Sequence, residues 1–116
     1  MEIQIVKNSI SKKQLEKIAK QGFGFLVKAV IDVRQGIMAI GGELHSDEEV
    51  KLMEEEGSKR GETWGINIYP GKGRGEWIEF DSMVNIKPSF GNYSREVENL
   101  EIKEKIRNIV DRLIIE

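Results

Sequence analysis

Glu2, Ile3, Gln4, Ile5 and Val6 alternate in polarity before Lys7 and Asn8 break the pattern, which predicts a short first strand. Ser11 stands three residues before Gln14, the spacing of a capping box, so a helix of about three turns should follow. Leu15, Ile18 and Ala19 would form its buried stripe and Gly22 its stop. Over residues 23–33, Phe23, Phe25, Val27, Ala29, Ile31 and Val33 fall on one wholly apolar face. Lys28 and Asp32 share the other face with Leu26 and Val30, the pattern of a long inner strand. Arg34, Gln35 and Gly36 then connect to the apolar run 37–40, a hairpin in which Gly36 supplies a positive φ, and Gly41 and Gly42 end it.

Ser46 and Glu49 repeat the capping-box spacing, and Asp47, Glu48 and Glu49 place negative charge where a helix dipole is positive. A second helix is predicted from there to Glu56, stopped by Gly57. Residues 63–70 and 76–88 read as two further strands joined by the tip Gly71, Lys72, Gly73, Arg74, Gly75. Pairing Tyr69 with Trp77 sets Ile68 opposite Ile78 and Ile66 opposite Phe80, whereas a slip of one residue would put Ile66 against Glu79. In the favoured register Asn67 faces Glu79 and Gly65 faces Asp81, on the side away from the core. The last helix begins near Asn99 and runs to about Ile115, with Leu100, Ile102, Ile106, Ile109, Val110, Leu113 and Ile114 on one stripe.

The order β-α-β-β-α-β-β-α implies an α+β fold: a mainly antiparallel sheet of about five strands with three helices on one face, a ferredoxin-like unit with an added strand and helix. The 116 residues suit one compact domain, 1–116, with 39% hydrophobic residues to form a core. Twenty acidic against eighteen basic residues give a net charge of −2, too balanced for the broad positive field that non-specific nucleic-acid binding needs. The absence of cysteine excludes disulfides, thiolate metal sites and thiol nucleophiles. No run is long and apolar enough to span a bilayer and no signal peptide opens the chain, so a cytoplasmic location is expected. Richness in Glu, Lys and Ile hints at a heat-adapted source.

Four places carry candidate chemistry. The only histidine, His45, sits among Glu43, Asp47, Glu48 and Glu49, a group able to pair a base with an acid or to hold a divalent cation, though its spacing fits no metal motif. The polar sheet face presents Asn67, Tyr69, Trp77, Glu79, Asp81 and Asn85, where Glu79 and Asp81 at i,i+2 would perturb each other's protonation, unless this is an ordinary solvated face. Lys72 and Arg74 on the glycine-rich tip offer a phosphate grip, although the strand-to-helix setting of phosphate loops is missing. Arg95, in the long loop 88–96, either meets an anionic ligand or pairs with Asp81 or Glu79. Asn92, Tyr93 and Ser94 match the glycosylation triplet, which a cytoplasmic protein would not use.

The runs DVRQGIMAIGGELHSDEE (residues 32–49), WGINIYP (64–70), WIEFDSMVNIKPSFGNYSREV (77–97) and EIKEKIRNIV (101–110) resemble a small prokaryotic family described as a domain of unknown function. The resemblance covers nearly the whole chain, implies a complete stand-alone protein, and brings no activity with it. The leading functional expectation is a small binding or interaction domain, self-associating through a strand edge or the Tyr69 and Trp77 face. The enzyme alternative acts on a phosphate-containing substrate, with His45, Glu79 and Asp81 as catalytic or metal-binding groups and Lys72, Arg74, Asn67 and Arg95 holding a small anionic ligand. A nucleic-acid role ranks third, and neither a cofactor nor a metal is identified by the sequence.

Overall fold

A computed structural model describes residues 1–116. In chain order it contains β1 (Gln4–Val6), β2 (Ile10–Ser11), α1 (Lys12–Gln21), β3 (Val27–Asp32), β4 (Ile37–Ile40), α2 (His45–Glu56), β5 (Thr63–Ile68), β6 (Ile78–Glu79), α3 (Leu100–Leu113) and β7 (Ile114–Ile115). Five strands form one antiparallel sheet in the order β1-β4-β3-β5-β6, while β2 and β7 make a small parallel pair. The α+β class and the antiparallel sheet are those the sequence implies. No helix is long and apolar enough to cross a membrane.

Local signals place several boundaries. Ser11 Oγ accepts from the Gln14 N–H while the Gln14 side chain accepts from the Ser11 N–H, at 3.1 and 3.0 Å, so the capping box starts α1. Gly36 takes φ 70° in the β3–β4 hairpin, and Asp32 closes that turn by accepting from the N–H groups of Arg34 and Gln35. Gly57, at φ 67°, ends α2, and Asn99 caps α3 by accepting from the Ile102 N–H.

The helices do not share a face. Val27, Ala29 and Ile31 of β3, Met38 and Ile40 of β4, and Trp64, Ile66 and Ile68 of β5 pack with Leu15 of α1 and Ile106, Val110 and Leu113 of α3. The alternate residues Val30, Ile37 and Ala39 meet Leu52 of α2 on the opposite side. The strand order supplies the reason. The connection from β1 to β3 and that from β4 to β5 each skip one strand and travel the same way across the sheet, but they start from antiparallel strands. The right-handed preference of such crossovers then puts α1 and α2 on opposite faces, where a ferredoxin-like order would keep them together.

Other boundaries differ from expectation for identifiable reasons. β3 begins only at Val27, because Gly24 at φ 95° turns the chain and leaves Phe23 and Phe25 exposed. Ser46 lies inside α2: the cap position belongs to Leu44, whose side chain makes no cap bond, and Glu49 is drawn away to other partners. α3 stops at Leu113, and Ile114 continues as a strand beside β2.

The expected register of β5 and β6 holds at Asn67 opposite Glu79 and Ile68 opposite Ile78, with the Tyr69 N–H donating to the Trp77 carbonyl at 2.8 Å. The strand does not reach Pro88. Met83–Asn85 and Pro88–Phe90 are 3-10 turns instead. The Asn85 side chain substitutes for a strand there, accepting from the Gly65 N–H at 2.8 Å and donating to the Gly65 carbonyl at 2.9 Å. Ser82, not Asp81, fills the space over Gly65, where a Cβ would lie 2.6 Å from Ser82 Cβ. Trp77 precedes β6, escapes its alternation and is fully buried among the α1 and α3 residues, which removes the expected exposed Tyr69 and Trp77 pair.

Candidate functional site

Three elements meet above the α2-facing side of the sheet. Lys28 of β3 is the cross-strand partner of Asn67 of β5, and these two form a polar floor. The first turn of α2 brings Leu44, His45 and Ser46 over that floor, and residues 81–84 with Arg95 form the remaining wall. The cavity is open on one side and has a volume of about 330 Å³.

His45 is almost wholly buried, and its Nε2 lies 2.8 Å from the Ile66 carbonyl oxygen. A carbonyl only accepts, so Nε2 carries the proton, which leaves Nδ1 of the neutral ring as an acceptor. Burial pushes the pKa below the ordinary histidine value; the Ile66 carbonyl opposes this, nearby Lys28 adds to it, and Asp81 and Asn67 oppose it. The net direction keeps the ring neutral at pH 7. Asn67 stands close enough to favour the imidazolium, yet the single ring proton already goes to Ile66.

Asn67 is 8% exposed. Its amide protons go to Glu79 Oε1 at 2.9 Å and to the Asp81 carbonyl at 3.3 Å. Asn67 lines the cavity and its Oδ1 is buried without any partner, an unpaired acceptor that costs free energy until a donor reaches it. Lys28 is half-buried and forms no ion pair; its ammonium lies 5.3 Å from the centroid of the Phe23 ring. The start of α2 has no side-chain cap, which leaves the first N–H groups of the helix free at the same cavity.

Of the residues singled out in the sequence, His45, Asn67, Asp81 and Arg95 line this one cavity. Arg95 Nε pairs with Asp81 Oδ1 at 2.7 Å, the internal pairing that competed with ligand binding for this side chain. Glu79 stands just behind, held by Asn67 and by the Tyr69 hydroxyl at 2.9 Å. Lys72 and Arg74 lie elsewhere. The hairpin tip reaches past the end of α3, where Arg74 donates to the Ile114 carbonyl at 2.7 Å and stacks on Trp77, while Lys72 covers the Tyr69 ring. No three His, Asp or Glu side chains are grouped so as to hold a metal ion. Of the carboxylates around His45, Glu48 is buried against the Gly42 N–H and Glu49 joins Arg60, Thr63 and Lys87, so neither is a solvated helix-start charge.

Sequence reasoning missed Lys28, Ser46 and Ser82 as lining residues. For Lys28 the signal was present as the one cation in the middle of an apolar strand; Ser46 and Ser82 carry none. Asn92, read as a glycosylation triplet, is buried and donates to the carbonyls of Asn85, Ser94 and Glu96, which orders the loop that carries Arg95.

Among known proteins, one family model matches residues 4–113, under the description Protein of unknown function (DUF5674). No curated protein and no solved structure matches the chain.

Proposed function

The chain belongs to that family, and from its geometry we propose that it is a binding domain for a small anionic ligand, held in the cavity between the first turn of α2 and the Lys28 and Asn67 floor. The observation that carries this reading is the meeting, in one cavity, of an ammonium with no carboxylate partner, an uncapped helix start, and a nine-tenths buried amide oxygen with no donor. The first two favour negative charge. The third calls for a donor on the same ligand.

Thermal unfolding in rising inorganic phosphate, at matched ionic strength with chloride, tests the anion site. A ligand that binds only the folded state raises stability by RT ln(1 + [L]/Kd), about 2.7 kcal/mol at a hundredfold excess over Kd. The melting temperature should rise for the wild type and stay level for Lys28→Met, a change that breaks no ion pair. An equal response in both proteins, or none in either, would remove the proposal.

His45 favours a second reading, in which the bound ligand gives a proton to the Nδ1 base. Nitrogen NMR of the ring across a pH series checks it: a neutral ring protonated at Nε2 at pH 7 supports a base at the cavity, and the opposite tautomer excludes it.

A further inference from the structure

We infer that the ligand is an organic anion in which a carboxylate or phosphate head is joined to a short apolar or aromatic body and carries a hydroxyl or N–H beside the head. This rests on the anion-binding reading and adds the ligand's other two parts.

The mouth of the cavity supplies the first. Phe23, Leu44 and Met83 are 39%, 54% and 66% exposed and all three line the same opening. Exposed apolar side chains scattered singly need no explanation, but three lining one polar cavity give it an apolar collar. Their positions have causes. Gly24 turns Phe23 out of the strand, the missing side-chain cap leaves Leu44 at the helix start, and the 3-10 turn after Ser82 carries Met83 to the rim. The volume agrees: about 330 Å³ lies at the low end of pockets that enclose small organic molecules and far above the ~30 Å³ share of one water.

Asn67 supplies the second. Its amide orientation is fixed because Nδ2 must face the two acceptors on Glu79 and Asp81, so Oδ1 is the atom left over and only a donor satisfies it. His45 Nδ1 is a second acceptor on the same cavity. A head bound by Lys28 and the helix start therefore sits beside two acceptors, which suits a 2-hydroxy or 2-amino acid more than a bare carboxylate.

Calorimetric titration with acetate, glycolate, phenylacetate and mandelate separates the three parts, and phosphate and phenyl phosphate, set against acetate and phenylacetate, distinguish the two head groups. Phenylacetate should bind about tenfold more tightly than acetate through the collar. Mandelate should bind several-fold more tightly again than phenylacetate through its hydroxyl. The change Met83→Ser, at the most exposed member of the collar, should cut the aromatic gain and leave acetate binding as it was, whereas Lys28→Met should weaken every anion. If acetate and phenylacetate bind equally and Lys28→Met weakens both, the organic body is refuted while the anion site stands. If mandelate gains nothing over phenylacetate, the donor part fails. Should none of the six anions bind, or Lys28→Met change nothing, the anion site itself is wrong and this inference falls with it.

Discussion

Beneath α1 and α3, Ile31, Met38 and Ile66 meet Leu15, Ile106 and Leu113 in a cluster of nineteen buried apolar residues, whereas the α2 face offers a cluster of only four. What the α2 face buries instead is charge: Asp32, Glu48, Glu49 and Lys87, together with His45, Thr63 and Asn67. One side of a single sheet is thus held by apolar area and the other by specific polar pairs. Cavities that bind polar ligands need fixed, desolvated polar groups. The α2 face is where this fold can build one, because the other face already supplies the hydrophobic stability.

The contrast is broken most strongly at Glu49. Its carboxylate accepts from Thr63 Oγ1 at 2.6 Å and from Lys87 Nζ at 3.1 Å, and it pairs with Arg60 at 2.8 Å. The Lys87 side chain is 0% exposed. Glu49→Ala leaves that ammonium buried without its counter-charge, and a loss of about 3–5 kcal/mol is expected in urea unfolding. Replacing both partners, as Glu49→Met with Lys87→Met, should return most of that loss, since a well-packed apolar pair often matches a buried ion pair. On the dry face Leu113→Ala should cost about 2–5 kcal/mol by leaving a cavity, and no second substitution of the same kind should restore it. Equal behaviour of the two faces in this pair of tests would erase the distinction.

The same contrast governs what could be read from the sequence. On the dry face, period-two alternation in residues 27–31 and the helical spacing of Ile106, Val110 and Leu113 were sufficient, because burial there depends only on being apolar. The Ser11 box and the Gly36 turn were legible because their partners lie within three residues. On the α2 face the partners are far apart in sequence. Ser46 and Glu49 have capping-box spacing, but Glu49 is taken by Thr63 and Lys87, fourteen and thirty-eight residues away. The strand expected to reach Pro88 ends early because the Asn85 amide mimics a backbone, which no alternation rule encodes. Asn67, Asp81, His45 and Arg95 were nameable as chemistry. That they share a cavity with Lys28 depends on α2 crossing to the second face, a consequence of strand order.

Asn85 gives the next largest effect. Its side chain is 0% exposed, satisfies both backbone groups of Gly65 and also donates to the Arg95 carbonyl at 2.9 Å. Asn85→Ala should cost about 1–3 kcal/mol through the Gly65 groups left unpaired. It should also loosen the wall that holds Arg95, so the anion-induced rise in melting temperature should shrink along with stability. Asn85→Asp keeps an acceptor for the Gly65 N–H but sets a carboxylate against the Gly65 carbonyl, and it is expected to be no better than alanine. A fully stable Asn85→Ala protein would mean that water replaces the amide at β5.

The smallest effect, and the one with a pH signature, is expected at Glu48. Its Oε2 accepts from the Gly42 N–H at 2.9 Å while Oε1 is buried without a partner. Burial pushes its pKa well above the ordinary 4.5, Asp47 adding to this and the Gly42 N–H and Lys28 opposing it. A carboxyl whose folded pKa exceeds its unfolded one favours the folded state fully below the unfolded value, and that contribution is lost as pH rises towards and through the folded pKa. Glu48→Gln cannot ionise. It should therefore match the wild type near pH 4 and become the more stable protein as pH is raised, measured as a difference in melting temperature that widens between about pH 4 and pH 8. A difference that stays flat over this range would mean that Glu48 is ionised at an ordinary pKa, in which case its charge would offset that of Lys28 and the anion site would lose its unpaired cation.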